Sequence, residues 1–336
     1  MDLDTDWYVY RGTGEVAADA VRDLPEAPPW RRFPGVGTTS RPADDGGEGD
    51  RRVGRSPAAP RVPAPDEVEM VNAALLLRRP LLVTGDPGTG KSTLAHLIAR
   101  ELGLGPVLKW AVTSRTALGD GLYSYDAIGR VRAAGAAGDA DIGDYVHLGP
   151  LGTALLPHDL PRVLLIDELD KGDIDLPNDL LNVFEEGEYQ ITELVRIAKS
   201  RPEVRVLTDD TGGTATVRDG VVRCREFPVV IITSNGEREF PPAFLRRCLR
   251  LHVAPPTHEQ LGRMVAAHFD DTHGVDVARL IREFLRRRDE VGGLAADQLL
   301  NGVHLAIRLA TSGAHRPDDD LPAVLEAIWH PLSAES

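Results

Sequence analysis

Eight consecutive residues, Gly85-Asp86-Pro87-Gly88-Thr89-Gly90-Lys91-Ser92, have the types and the spacing to grip a polyphosphate. Glycines at 85, 88 and 90 let the backbone curl until its N–H groups point inward as an anion nest. An apolar strand, Leu81 to Thr84, comes before them and the helical stretch KSTLAHLIAREL comes after. The positive end of that helix adds to the field. In the pattern G-x-x-x-x-G-K-[ST] the lysine reaches the β- and γ-phosphates and the hydroxyl ligates Mg²⁺. Lys91 and Ser92 hold those places, and Thr93 follows. Lysine occurs only at 91, 109, 171 and 199 in a chain that otherwise uses arginine, so a lysine here looks required.

A second group stands 76 residues after Lys91, where RVLLIDELDK reads as a buried strand ending in Asp167-Glu168. Asp167 at the strand tip is expected to hold the hydrated Mg²⁺, and Glu168 to polarise a water for in-line attack on the γ-phosphate. A third strand, Val229 to Thr233, ends near Asn235, whose amide is placed to contact the γ-phosphate or the attacking water. Eleven and twelve residues further on, PPAFLRRC carries Arg246 and Arg247 beside apolar Leu245 and Cys248. Adjacent guanidiniums in apolar company call for an anion. Their helix, Pro241 to Arg247, leads away from the phosphate cradle, so the candidate anion is a γ-phosphate bound to a neighbouring subunit. An arginine supplied in trans is worth about 10³ to 10⁵ in rate, or roughly 4 to 7 kcal/mol of barrier. The alternative is an intramolecular salt bridge to one of the many acids.

These groups need a scaffold. Short apolar runs at 81–84, 107–112, 163–166, 229–233 and 249–253 alternate with helical stretches, which indicates an α/β fold with a parallel sheet covered on both faces. From about Pro255 only helical patterns follow, an α-helical lid expected over 255–336. The α/β nucleotide-binding domain is expected over 66–254. Residues 34–65, rich in Gly, Pro, Ser, Asp and Arg, have almost nothing to bury and read as a flexible tether. An arm at 1–33 carries Trp7, Tyr8, Tyr10, Trp30 and Phe33, which are expected to dock, on the chain's own body rather than on a partner in the simpler reading. Pro28 to Phe33 and the helix from Asp66 remain open as candidates to line a base.

The 336 residues are 42% hydrophobic and carry a net charge of −14, which disfavours nucleic-acid coating. No apolar run approaches the roughly 20 residues that cross a bilayer. Two cysteines, Cys224 and Cys248, fit a reducing cytoplasm as buried apolar residues. The start, MDLDTDWYVYRG, has neither the basic nor the apolar part of a signal peptide. None of the five asparagines begins the Asn-Lys-x-Asp of guanine binders, and the acid-rich Asp170 to Leu181 lacks the glycine of a calcium loop.

Taken together, GDPGTGKST, LLIDELDK, ITSN and PPAFLRRC resemble the Walker A, Walker B, sensor-1 and arginine-finger segments of AAA+ ATPases, and more narrowly of the MoxR-like group. The resemblance spans about Glu67 to Val253 well and the helical tail loosely. It implies a P-loop AAA+ core with a five-stranded parallel sheet plus a helical lid. ATP and Mg²⁺ are the implied cofactors, and Arg247 the finger with Arg246 beside it. It also implies an insert in the second helix (about 119–157) and a hairpin before sensor 1 (about 187–227). The implied assembly is a homo-oligomer, a hexameric ring, acting on a protein substrate or with a von Willebrand factor A-type partner. One departure stands out. Where the group carries a sensor-2 arginine, this chain reads GGLAADQLLNG, and Arg308 lies eleven residues past Asp297. Slow hydrolysis, with the chain serving as an ATP-gated scaffold or switch, is the alternative that this departure favours.

Overall fold

The computed structural model describes residues 7–16, 24, 26–37, 39–40, 42, 45–55, 61–137, 141–291, 293–312 and 328–329. The remainder of the expected arm, tether, insert and lid lies outside the described residues. In chain order the strands are β1 (Leu81–Thr84), β2 (Leu108–Ala111), β3 (Tyr123–Tyr125), β4 (Val146–Leu148), β5 (Val163–Asp167) and β6 (Glu188–Gln190). They continue with β7 (Glu203–Leu207), β8 (Thr214–Arg218), β9 (Val221–Arg223), β10 (Val229–Ser234) and β11 (Leu249–His252).

Five of them form one wholly parallel sheet in the order β11-β1-β10-β5-β2. Successive side chains of a strand point to opposite faces, and the two faces bury different partners. Leu81, Val83, Val163, Leu165, Val229 and Ile231 join one core with the Pro65–Leu77 and Thr93–Glu101 helices. Leu82, Leu164, Ile166, Val230 and Ile232 join another with Leu151, Leu180 and Phe184. Burial on both sides is why these strands are nearly continuous Val, Leu and Ile. This is the AAA+ α/β fold expected from the alternation of strands and helices. The helices His258–His268, Val277–Val291 and Ala296–Thr311 enclose a third core around Leu261, Phe284 and Leu299, with Trp329 buried against Phe284.

The other six strands make a second sheet, β3-β4-β7-β8-β9-β6. It draws β3 and β4 from the expected insert and β6 to β9 from the expected hairpin, joined where His147 of β4 bridges Leu207 of β7. A buried ion pair ties it to the core sheet. Arg162, fully buried before β5, sends Nη1 and Nη2 to the two carboxylate oxygens of Asp210, each at 2.8 Å.

The stretch expected as a tether is held at several points. Residues Glu48–Val53 form a short helix, with Arg100 donating to Gly54 O at 2.8 Å and to Asp50 Oδ1 at 2.7 Å. Arg55 N donates to Ala267 O of the lid at 2.8 Å. Composition misleads here because the segment is fixed by polar bonds to its neighbours, with only Gly49 of the helix buried. In the arm, Tyr10 is fully buried and its hydroxyl donates to Glu67 Oε1 at 3.0 Å, while Asn72 Oδ1 accepts from Val9 N and Tyr10 N. Trp7 and Trp30 are exposed, and Phe33 stacks on Phe227.

Candidate active site

β1 delivers the chain into the glycine-rich loop, and the helix after it begins at Thr93 with Ser92 at its cap, two residues later than the sequence pattern suggests. The loop turns on backbone that side chains would obstruct. Gly85 has φ 149°, and a Cβ there would lie 2.4 Å from Val253 O; Gly90 has φ 89°. Lys91 folds back into the loop, 7% exposed, with Nζ donating to Gly85 O at 2.8 Å and Asp86 O at 2.7 Å. Burial lowers its pKa, opposed by Asp170, Asp86, Glu168 and Asp167.

β5 and β10 carry the acids and their partners to the same point. Asp167 Oδ1 accepts from Ser92 Oγ at 2.6 Å and from Thr233 Oγ1 at 2.8 Å, and Oδ2 meets Lys109 Nζ at 2.9 Å. Burial alone would raise the Asp167 pKa, but these three bonds outweigh it and hold the carboxyl below its ordinary range. Glu168 sits in the left-handed region, φ 61°, where its amide donates to Thr233 Oγ1 at 2.8 Å. That turn swings its side chain towards Lys171, whose Nζ lies 2.8 Å from Oε2. The Asn235 side-chain amide lies 3.5 Å from Glu168 Oε1. Asp170, 3% exposed, accepts from the amides of Asn235 and Glu237 at 2.9 and 3.1 Å through Oδ2 and so pins the loop after β10.

A cavity of about 1140 Å³ gathers Pro87, Gly88, Thr89, Gly90, Lys91, Ser92, Thr93, Asp167, Glu168, Thr233 and Asn235 on one wall. Gly85 and Asp86 lie behind that wall, with their carbonyls on the lysine. The cavity is also lined by Val253 to Thr257, Gln260, Leu261 and Met264, and by Ala296, Asp297 and Leu300. Val62, Ala64, Asp66 and Glu67 close one end. Of the two stretches left open for a base, the helix from Asp66 reaches this cavity, whereas Pro28 to Phe33 is not on its wall. Arg308 is not on it either, whereas Asp297, within the stretch compared above with the sensor-2 turn, is. Arg246 and Arg247 are also outside the cavity. Arg246 is exposed, and Arg247 Nε donates to Glu185 Oε1 at 2.7 Å.

A family model described as AAA domain (dynein-related subfamily) matches residues 80–248, half of the chain. The chain belongs to this family. As an AAA domain it is a nucleotide-binding ATPase module. A protein of Cytophaga hutchinsonii provisionally named an ATPase aligns over 60% of this chain and 48% of its own, at 14% identity and a TM-score of 0.36. This chain thus spans about half the length of that protein. The FIGL-1 AAA domain, solved in complex with ADP, aligns over 77% and 74% at 16% identity and the same TM-score. No curated protein matches the sequence.

Within the AAA domain, sequence reasoning missed four partners: Lys109, Asp170, Lys171 and Thr233. Lysine scarcity held the signal for two of them. Three of the chain's four lysines converge here, on the loop carbonyls, Asp167 and Glu168. Both cysteines are buried, and burial pushes each thiol up to about 12. No helix among the described residues is long and apolar enough to cross a membrane.

Proposed function

We propose that the chain is a MoxR-like AAA+ ATPase that binds Mg-ATP in this cavity and hydrolyses it with an arginine from a neighbouring copy, so as to remodel a protein partner. The observation that carries the reading is the convergence of Lys91, Ser92, Asp167, Glu168, Thr233 and Asn235 on one wall. The donor set fits a hard divalent cation completed by phosphate and water: one hydroxyl, Ser92, and one ionised carboxylate, Asp167, already 2.6 Å apart. Ser92 and Asp167 would hold Mg²⁺ there, and the ion would supply neutralisation of the charge that develops on the phosphates.

The chain's own residues do the rest. Loop amides of Gly88, Gly90, Lys91 and Ser92 orient the polyphosphate, and the Lys91 ammonium exchanges two carbonyls for phosphate oxygens. Thr233 holds Asp167 and the Glu168 backbone in fixed relation. Glu168 accepts a proton from the attacking water, and Asn235 orients that water. Before Glu168 can do so its carboxylate has to leave Lys171, because an ion-paired carboxylate is a poorer base. That pairing, with no arginine in the stretch GGLAADQLLNG, favours a second reading in which hydrolysis is slow and the chain acts as an ATP-gated scaffold or switch.

Arg247 lies outside the cavity, so a lone chain has no guanidinium of this pair at its own γ-phosphate. The family resemblance supports a hexameric ring, and a von Willebrand factor A-type protein as partner or a protein complex as substrate. ATP turnover per chain against protein concentration tests the reading, alongside light scattering with a non-hydrolysable ATP analogue. Turnover should climb as multimers form. Full turnover from chains too dilute to associate overturns the shared site, whereas assembly on ATP with negligible turnover supports the switch.

A further inference from the structure

The N-terminal arm sends one residue deep into the body, and its bonds lead to the arginine pair. Arg31 is 8% exposed. Its Nε and Nη2 donate to Arg78 O at 3.1 and 2.9 Å, and Nη1 donates to Phe184 O at 2.8 Å. The guanidinium lies 4.3 Å from the centroid of Phe227 and 5.2 Å from that of Phe33. A guanidinium taken from water is costly unless its protons are bonded, and these go to carbonyls at two helix ends, where a cation is favoured. Arg78 caps the Pro65–Leu77 helix, and Phe184 is in the last turn of Leu176–Glu186.

Each segment that Arg31 ties uses its next residue to hold the arginine pair. After Arg78, Arg79 donates from Nε to Arg247 O at 3.1 Å and from Nη2 to Arg246 O. After Phe184, Glu185 accepts from Arg247 Nε at 2.7 Å, while its other oxygen lies 3.9 Å from Arg31 Nη1. Arg247 Nη1 also donates to Ala243 O at 3.2 Å. The backbone of the pair and the inner edge of one guanidinium are therefore fixed, and the Nη2 edge is left for an anion.

We infer that Arg31, Arg79 and Glu185 form a positioning frame for Arg247, through which the N-terminal arm serves the active site of the neighbouring copy. This rests on the shared-site reading above. Arginine's long side chain carries much rotamer entropy, and a frame that removes it before assembly leaves less to lose at the transition state. None of the three residues lies on the wall of the chain's own nucleotide cavity, so the frame acts on another copy's ATP.

Two crippled chains test this together. Lys91→Ala keeps the arginine but lacks the cradle lysine; Arg247→Ala keeps the cradle but lacks the arginine. Their mixture should turn over ATP well above either alone. Adding Arg31→Met or Glu185→Gln to the Lys91→Ala chain should lower the mixture's kcat roughly 10- to 100-fold, as expected for a misplaced catalytic group. KM and multimer mass should hold steady. The same changes in the Arg247→Ala chain should leave turnover within about twofold, since nothing there remains to be positioned. Glu185 is half exposed, so Glu185→Gln keeps the test open if Arg31→Met does not fold. Equal losses in both chains, or no loss in the arginine donor, overturn the frame while the shared site stands. A mixture no more active than its parts overturns both.

Discussion

The phosphate cradle and the arginine pair are built on opposite plans. In the cradle, polar groups are matched within the chain: Lys91 to loop carbonyls, Asp167 to Ser92, Thr233 and Lys109, Glu168 to Lys171. At the arginine pair the backbone is held as tightly, yet Arg246 is exposed and Arg247 keeps an outward edge. One region is finished by folding. The other is prepared by folding and finished by something outside the chain.

The sharpest way to break this contrast is to remove one group from each region. Arg247→Ala should lower turnover about 10³-fold or more, and nucleotide binding, read by a fluorescent ATP analogue, should stay within about threefold. Lys91→Ala should abolish that binding signal at equal protein concentration. If Arg247→Ala weakens binding as strongly as Lys91→Ala does, the two regions are one site and the contrast fails.

Next in size is the tie between the two sheets. Arg162→Met strands Asp210 without its buried partner and should cost about 3 to 5 kcal/mol in urea unfolding. The double change Arg162→Met with Asp210→Leu should recover most of that, because the orphaned charge goes too. Lys171→Met frees Glu168 from an exposed ion pair and should change stability by less than about 1 kcal/mol while raising kcat a few-fold. A fall in kcat would mean that Lys171 supports Glu168.

The smallest effect at neutral pH concerns the thiols. Cys224 and Cys248 have folded values raised to about 12 by burial, against about 8.5 unfolded. Their contribution is full below about 8.5 and is lost as pH climbs towards the folded value. Native chains should resist a thiol reagent at pH 8 and react on unfolding, whereas rapid native labelling would place a cysteine at the surface.

The core sheet was readable because its inner strands β1, β5 and β10 are buried on both faces and so are written in Val, Leu and Ile. Most of the catalytic wall was readable because Gly85 to Ser92 and Asp167-Glu168 are dictated by chemistry at fixed spacing. The second sheet was not seen as one body. β3, β4, β6 and β9 are three residues each, too short for a period, and β4 finds β7 across some sixty residues of chain. Thr233 hid inside an apolar strand, where a threonine passes for a β-former until its hydroxyl is seen bridging Asp167 and the Glu168 amide. Arg31 hid in PPWRRF, since nothing local marks which of two neighbouring arginines turns inward.

The amide of Ala296, first residue of a lid helix, donates to Gly88 O at 3.1 Å. This rivet joins lid to loop through main chain on both sides. Side-chain drift in evolution can therefore restyle either surface and leave the joint intact. Among the twenty residues only proline at 296 deletes the donor, which makes that position a clean switch for uncoupling the two bodies by design.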